Sequence, residues 1–355
     1  MNKPVAIDLF SGGGGLTVGL KAAGFSVCAA VEYDEVAATT YSENHPEVVM
    51  ITRDIRTVTA EEIVRCSPTN KIDLIAACPP CQSFSSLTFK YKRNDSRDEL
   101  IFEFARLVEQ IKPRSIMMEN VPGLAIKGEK LFNPVIKKFK RLGYKIEYRV
   151  LEVADYGVPQ NRKRLVVLGA LGQEIRIPES THSEHGESGK QEWRTVKDAI
   201  SHLPDPIGLA AAKTQGGPKC YNWHISRDLS PINMERLRHL RPGGDRTQLP
   251  EHLRPDCHKN KQSGFTNVYG RMSWDKPSPT ITGGCTTLSK GRFGHPKKMR
   301  TISVREAALL QTFPENYKFS SEYIDRVCTI IGNALPPKFA EAMAKACANL
   351  LREEK

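Results

Sequence analysis

A doubly wound α/β sheet with a second, smaller lobe of mostly irregular and β structure is the fold this chain predicts, on three observations. Short apolar runs alternate with helical patterns through the first half, the signature of strands separated by crossover helices. Glycine, proline or a carboxylate follows each run at once, where an open sheet holds its ligands beyond the carboxyl ends of its strands. From about residue 173 to 300 the periodicity fades into Gly-, Pro-, His- and charge-rich segments such as Pro204-Asp205-Pro206 and Arg241-Pro242-Gly243-Gly244, which read as short strands and long loops.

Val5 to Phe10 is the first strand run, ending in Gly12 to Gly15; Leu16 to Ala23 follows as a helix closed by Gly24. Phe25 to Val31 is a second strand that stops at Glu32. Asp73 to Ala77 and Ser115 to Met118 are buried-strand runs. Between them Leu100, Phe104, Leu107, Val108 and Ile111 recur at helical spacing. Tyr144 to Val153 and Arg164 to Leu168 are later strands. After residue 300 helical patterns return at Val304 to Thr312 and, past the turn Gly332-Asn333, at Pro337 to Leu351. The expected organisation is one domain over 1–180 completed by 326–355, a second domain over 181–300, and a hinge segment over 301–325.

Composition narrows the function. Of 355 residues 39% are hydrophobic and 26% charged, values of a folded soluble protein. No apolar run approaches the ~18 residues of a membrane span, and Met1 to Pro4 lead into a strand without a secretory pattern. A reducing, cytoplasmic setting is expected, in which the nine cysteines are buried, catalytic or metal-bound rather than bridged. The net charge is +12, and residues 171–299 carry 20 basic against 13 acidic side chains with eight of the nine histidines. A basic excess concentrated there suggests a polyanionic partner, although a solvated basic face would have the same composition.

Asp8-Leu9-Phe10-Ser11-Gly12-Gly13-Gly14-Gly15 occupies the phosphate-loop position of a dinucleotide fold, but Thr17 stands where the third glycine of G-x-G-x-x-G belongs. Glu32, at the end of the second strand, is placed to accept hydrogen bonds from a ribose diol. The pair indicates a nucleoside cofactor, with S-adenosylmethionine and NAD equally compatible. Pro79 and Pro80 fix the backbone before Cys81, a device that would hold a nucleophile rigidly. A buried inert thiol is the competing reading, and a zinc set of Cys78, Cys81, Cys220 and His224 is the weaker one.

Taken in order, Asp8-x-Phe10-x-Gly12-x-Gly14, Pro80-Cys81-Gln82, Glu119-Asn120-Val121, Gln160-x-Arg162-x-Arg164, Arg300 to Pro314 and Ile331 to Pro337 resemble the motifs of the C5-specific DNA cytosine methyltransferases of prokaryotic restriction-modification systems. The resemblance spans residues 5 to 350 and leaves the middle lobe without a shared pattern. It implies a Rossmann-like, S-adenosylmethionine-dependent catalytic domain. By that resemblance Cys81 adds to C6 of a flipped-out cytosine, Glu119 hydrogen-bonds the N3 edge, and Arg164, with Arg162 as alternative, holds the base oxygen. No metal is implied.

The resemblance also assigns the cofactor: Phe10 stacks on adenine, Gly12 and Gly14 approach the methionine portion, and Glu32 takes the ribose hydroxyls. Asp54 and Ile55 line the adenine edge, while Pro80, Leu100 and Asn333 complete the pocket. Tyr33 replaces a common tryptophan, Arg53 a common glycine and Ala334 a common serine. Double-stranded DNA is the expected partner, contacted through Gln82, Ser83 and Ser85 beside the nucleophile and by Lys92 and Arg97, whose cations suit phosphates. Arg241, Arg246, Arg254 and Arg271 are candidate base readers in the middle lobe. A monomer is expected, with a cognate endonuclease acting on the same site. An RNA cytosine methyltransferase is one rival, disfavoured because the Cys-Phe-Thr motif of that branch is absent; a catalytically inactive DNA-binding regulator is the other.

Overall fold

The computed structural model describes residues 3–84, 96–259 and 267–353, which form two compact units. The first comprises Met1–Tyr156, Lys163–Thr181 and Leu335–Lys355; the second comprises Gly157–Arg162 and His182–Ala334. Residues 301–325 and 326–334 therefore group with the second unit, and the chain returns to the first only at Leu335.

The first unit is built on a seven-stranded sheet of β1 (Val5–Leu9), β2 (Ser26–Val31), β3 (Val49–Ile51), β4 (Leu74–Ala77), β5 (Ser115–Asn120), β6 (Tyr144–Glu152) and β7 (Lys163–Leu171), in the order β3-β2-β1-β4-β5-β7-β6. β1 to β5 run parallel, and β7 is antiparallel to both β5 and β6. Every residue of β1, β4 and β5 is buried, which is why these strands read as unbroken apolar runs rather than alternating ones. Apolar side chains of Ile7, Leu9, Ile75, Phe104, Leu107, Phe139 and Val167 share one core. The expected strands are all present, as are the helices Gly15–Ala22, Ile101–Ile111, Val304–Leu310 and Pro337–Glu353.

Of the pieces that went unread in the sequence, three have a plain reason. β3 has only three residues, too few to show a period. The helix Glu35–Asn44 is weakly amphipathic, and the helix Glu129–Arg141 carries Pro134 in its interior, a residue that removes a helix donor.

Two features position the site. The strand order places β1 between β2 and β4, so successive connections leave on opposite sides and open a crevice at the carboxyl end of β1. The reversal of β7 is the second. Its register pairs Leu165 with Asn120, the last residue of β5, so Arg164 near its start stands at the rim where the parallel strands end. The helix Gly15–Ala22 lies so close to Pro337–Glu353 that a Cβ on Gly19 would stand 2.5 Å from Cβ of Ala340. Only glycine fits there.

The second unit holds short helices, single 3-10 turns and, among the described residues, two pairs of two-residue strands. Its centre is Trp223, whose indole N–H donates to the Phe319 carbonyl at 2.9 Å, and Arg305, whose guanidinium donates to the carbonyls of Asn222 (2.8 Å) and Tyr317 (2.7 Å). Leu237, Leu240, Leu249, Leu253 and Leu288 form a separate cluster.

Candidate active site

Cys81, Glu119 and Arg164 come together at the carboxyl rim of the first unit. β4 ends at Ala77 and the Cys78-Pro79-Pro80 turn delivers Cys81 to a buried position, 6% exposed. Asn120 donates from Nδ2 to the Cys81 sulfur at 3.3 Å and to the Pro79 carbonyl at 3.0 Å, while its Oδ1 accepts the Val121 N–H at 2.8 Å. Burial pushes the Cys81 thiol up to about 12; Asp98 and Glu119 add to the shift, and the Asn120 donor opposes it. In this state the sulfur is a thiol at neutral pH.

Glu119 is the penultimate residue of β5, and Arg164 Nε donates to its Oε1 at 2.6 Å with both side chains largely buried. Arg164 Nη1 donates to the Lys163 carbonyl at 2.8 Å, which fixes the guanidinium plane. Cys78 follows Ala77, the register partner of Met118, and so stands beside Glu119, to which its thiol donates. Burial, with Glu119 and Asp8 behind it, holds that thiol well above its ordinary range. A buried thiol, a carboxylate gripped by a guanidinium and a rigid turn form an arrangement suited to covalent addition to a flat ring with a polar edge.

Arg162 goes elsewhere. Its Nη1 donates to the carbonyls of Ile281 (3.0 Å) and Gly332 (3.1 Å), and Nη2 also reaches Gly332 at 3.1 Å, all within the second unit. Gln160 is equally engaged there, accepting Ile281 N–H at 2.9 Å and donating to Gln311 Oε1 at 2.6 Å. Within Gln160-x-Arg162-x-Arg164, only Arg164 meets the Cys81 and Glu119 group.

The glycine loop that follows β1 lies beside them. Phe10, Gly12 and Gly14 adopt φ of +60°, +52° and +91°, and a Cβ built on Gly12 would meet nothing within 4 Å. A left-handed backbone and open space above it are what glycine supplies where a ligand approaches the main chain. Glu32 bridges the loop, accepting Gly12 N–H at 2.7 Å and Asp34 N–H at 2.8 Å. Burial raises its carboxyl, against those two donors. Asp8 Oδ1 and Ser11 Oγ are buried without a hydrogen-bond partner.

Tyr33 is 74% exposed, while Ile55 is buried. Leu100 and Phe10 are half-buried against the main core, and Pro80 is half-buried. The Asp54 carboxylate is taken by Arg56, whose Nη2 donates to it at 2.6 Å. Asn333 belongs to the second unit, exposed at the end of the helix Ile324–Asn333.

Among the expected DNA contacts, Gln82 and Ser83 lie in the turn Gln82–Phe84, with Ser83 N–H on Asp98 Oδ1 at 3.4 Å. Arg97 is exposed in the turn Ser96–Leu100; Ser85 and Lys92 lie outside the described residues. In the middle lobe Arg246 and Arg271 are buried, at 2% and 4% exposure. Arg271 donates to the carbonyls of His295 (3.1 Å) and Pro296 (3.0 Å), so its guanidinium holds the lobe's own backbone rather than facing a groove. Arg241 remains exposed and Arg254 half-buried. His224 contacts Ser303 Oγ at 3.0 Å and the Pro204 carbonyl at 2.7 Å, leaving neither ring nitrogen for zinc; no metal-holding cluster occurs among the described residues.

Sequence reasoning passed over Asn120, Asp98 and Cys78 as neighbours of the reactive groups. Register was the available signal for Cys78, because it follows the strand residue paired with Met118.

The profile of the C-5 cytosine-specific DNA methylase family matches residues 5–349. The chain is 40% identical over 352 residues to Type II methylase M.HgiDII of Herpetosiphon aurantiacus, covering 97% of this chain and 95% of that protein. It is 32% identical over 352 residues to Type II methyltransferase M1.BsuMI of Bacillus subtilis, covering 95% and 78%. Among solved structures, an inferred DNA modification methyltransferase encoded within an E. coli prophage superposes with a TM-score of 0.74 at 28% identity over 98% of this chain and 99% of that one. The Dnmt2 methyltransferase of S. pombe, at 16% identity and a TM-score of 0.67 over all of both chains, shares the fold.

Proposed function

The chain belongs to the C-5 cytosine-specific DNA methylase family and is a DNA (cytosine-5-)-methyltransferase, and from that premise we propose how its residues divide the reaction. The observation that carries the assignment is the grouping of Cys81, Glu119 and Arg164 at one rim, each in a position fixed by a strand end. Cytosine C5 is a poor nucleophile until the ring gains electrons. The Cys81 thiolate adds to C6, forming an S–C6 bond and moving the C5–C6 π pair toward C5 and the N3 edge. Glu119, oriented by Arg164, hydrogen-bonds N3 and stabilises the charge that gathers there. Loss of the C5 proton after methylation returns a pair of electrons to the ring and expels the Cys81 sulfur.

S-adenosylmethionine is the methyl donor used by this family, and when bound it supplies an electrophilic methyl group at that carbon. The residues of the first unit fit it. Gly12 leaves open space for an approaching backbone, Glu32 is a fixed carboxylate for a ribose diol, and Asp8 Oδ1 with Ser11 Oγ are unspent polar atoms beside the glycine loop. Phe10, Gly14, Tyr33, Asp54, Ile55, Pro80 and Leu100, all of the first unit, are the further contacts proposed for it. Asp54 would present its backbone there, since Arg56 occupies its carboxylate.

Double-stranded DNA is the substrate proposed, with Arg97 on a phosphate and the second unit reading a short sequence. Arg162 holds that unit's own backbone and takes no part at the base. The Type II relatives support a restriction-modification setting in which a cognate endonuclease acts on the same site. No helix among the described residues is long and apolar enough to cross a membrane.

The test is expression in a host lacking cytosine methylation, with 5-methylcytosine mapped across genomic DNA and RNA. Methylation within one short recurring DNA motif, lost in Cys81→Ser, is the expected result. Methylated RNA beside unmodified DNA would overturn the DNA reading, and an active Cys81→Ser protein would overturn the covalent step.

A further inference from the structure

The Cys81 sulfur has to lose its proton before it can attack, in a position where burial and two carboxylates oppose the charge. One group on the described structure works the other way. The Asn120 side chain, 4% exposed, has its amide oxygen committed to Val121 N–H at 2.8 Å, so its NH2 group must point in the opposite direction. There its hydrogens meet the Pro79 carbonyl at 3.0 Å and the Cys81 sulfur at 3.3 Å. The amide straddles Pro80, holding the residue before it and the residue after it. Turning the amide over would set its oxygen against a carbonyl oxygen and the sulfur, and its N–H against the Val121 N–H. The orientation is therefore determined on all three contacts.

We propose that Asn120 is a positioning residue for the nucleophile: its amide fixes the Pro79–Cys81 turn and donates to the sulfur a hydrogen bond that strengthens as the thiol becomes a thiolate. A neutral thiol is a weak acceptor and a thiolate a strong one, so the bond favours the charged form and the addition step that follows from it. Asn120 itself takes up and releases no proton. The inference rests on the role proposed above for Cys81 and adds what supports its ionisation.

The sulfur also feels Glu119, with Arg164 upon it, on the β5 side and Asp98 from the turn Ser96–Leu100; all three are kept in the test. The full chain is compared with Asn120→Ala and Asn120→Asp. Asn120→Asp keeps the acceptor for Val121 and the side-chain volume while replacing the donor with an oxygen. Three quantities are read: iodoacetamide labelling of Cys81 by peptide mass mapping without DNA at pH 7–9; kcat and KM for methylation of genomic DNA from a host lacking cytosine methylation; and the melting temperature.

A hydrogen bond to a charged group predicts Cys81 labelling and kcat about 10- to 100-fold lower in Asn120→Ala. The loss is larger in Asn120→Asp, with KM for DNA within about 3-fold of the parent in both. Unchanged labelling in both variants overturns the proposal, and so does a fall in kcat matched by an equal loss of folded protein. A parent protein that methylates no DNA would refute the assigned function instead, while the labelling comparison would still judge the role of Asn120.

Discussion

Replacing Asp8 with asparagine should stabilise the protein at neutral pH and make little difference in acid. Asp8 is fully buried in β1, with the Thr17 hydroxyl donating to Oδ2 at 2.7 Å and no partner on Oδ1. Burial, with Glu32 adding to it, pushes the carboxyl from 3.8 up to about 7. The unfolded chain gives up this proton near its ordinary value, whereas the folded protein keeps it until about pH 7. Across that window the native state holds the extra proton, so rising pH removes stability, and the full loss is present above pH 7. A shift of that size corresponds to about 4 kcal/mol.

Asparagine has nearly the same shape, stays neutral throughout, and can still accept the Thr17 hydroxyl through its amide oxygen. Urea unfolding at pH 4, 5.5, 7 and 8 measures the effect, with linear extrapolation at each pH. The Asp8→Asn advantage over the parent should grow by about 4 kcal/mol between pH 4 and pH 8. A difference that stays flat with pH would refute the reasoning, because a mutation that only altered packing would displace both ends of the curve equally.

Glu119→Gln should lower the rate of tritium transfer from methyl-labelled S-adenosylmethionine to DNA by about 10²- to 10⁴-fold, the usual worth of a positioned acid–base group. A drop smaller than tenfold would remove Glu119 from the chemistry. Gly123→Ala should cost about 1–3 kcal/mol by overpacking, because the new Cβ would stand 2.1 Å from the Phe84 carbonyl oxygen. Thermal melting and turnover measured together would detect the displaced turn beyond Cys81, and a parent-like result in both would contradict that contact. His295 is held down to about 4 by burial, then by Arg300, and its Nδ1 accepts the N–H groups of Lys297 and Lys298, which only the neutral ring can do. Its contribution is present above the unfolded value and is lost as pH falls from 6.5 to 4. The parent should therefore lose about 3 kcal/mol more than His295→Asn between pH 7 and pH 4, measured by urea unfolding.

The strand ends were legible because parallel strands covered on both faces are unbroken apolar runs, and each stops at a residue of different chemistry: Phe10, Glu32, Cys78 and Glu119–Asn120. Cys81 and Glu119 were therefore readable as residues of one rim, whereas Arg164 entered only through the motif resemblance. The division of labour between Arg162 and Arg164 was not. Two arginines two positions apart look alike in sequence, and only the antiparallel register of β7 sends Arg164 to Glu119 while Arg162 meets the carbonyls of Ile281 and Gly332. Asn120 was read as a strand-end and motif residue with no role of its own, since three hydrogen bonds on one buried amide leave no trace in spacing. Arg271 resembled a surface cation because sequence cannot distinguish a charge facing solvent from one spent on backbone carbonyls, and the burial of Arg246 was equally hidden. The middle lobe resisted reading for a related reason: it is held by side-chain-to-backbone bonds and isolated turns, which have no period.

The contact of Gly19 with Ala340 sets a timetable for the growing chain. The helix Gly15–Ala22 is among the first pieces synthesised, yet the helix that covers it, Pro337–Glu353, follows the entire second unit. At about 5–20 residues per second, the stretch from residue 182 to 334 occupies the ribosome for roughly 8–30 s. During that interval an apolar flank of the nascent first unit waits uncovered. The lobe assigned to DNA reading has the chance to fold before the catalytic unit closes, so a ribosome stalled anywhere in it leaves a chain that contains Cys81 and Glu119 but not the helix that completes their unit.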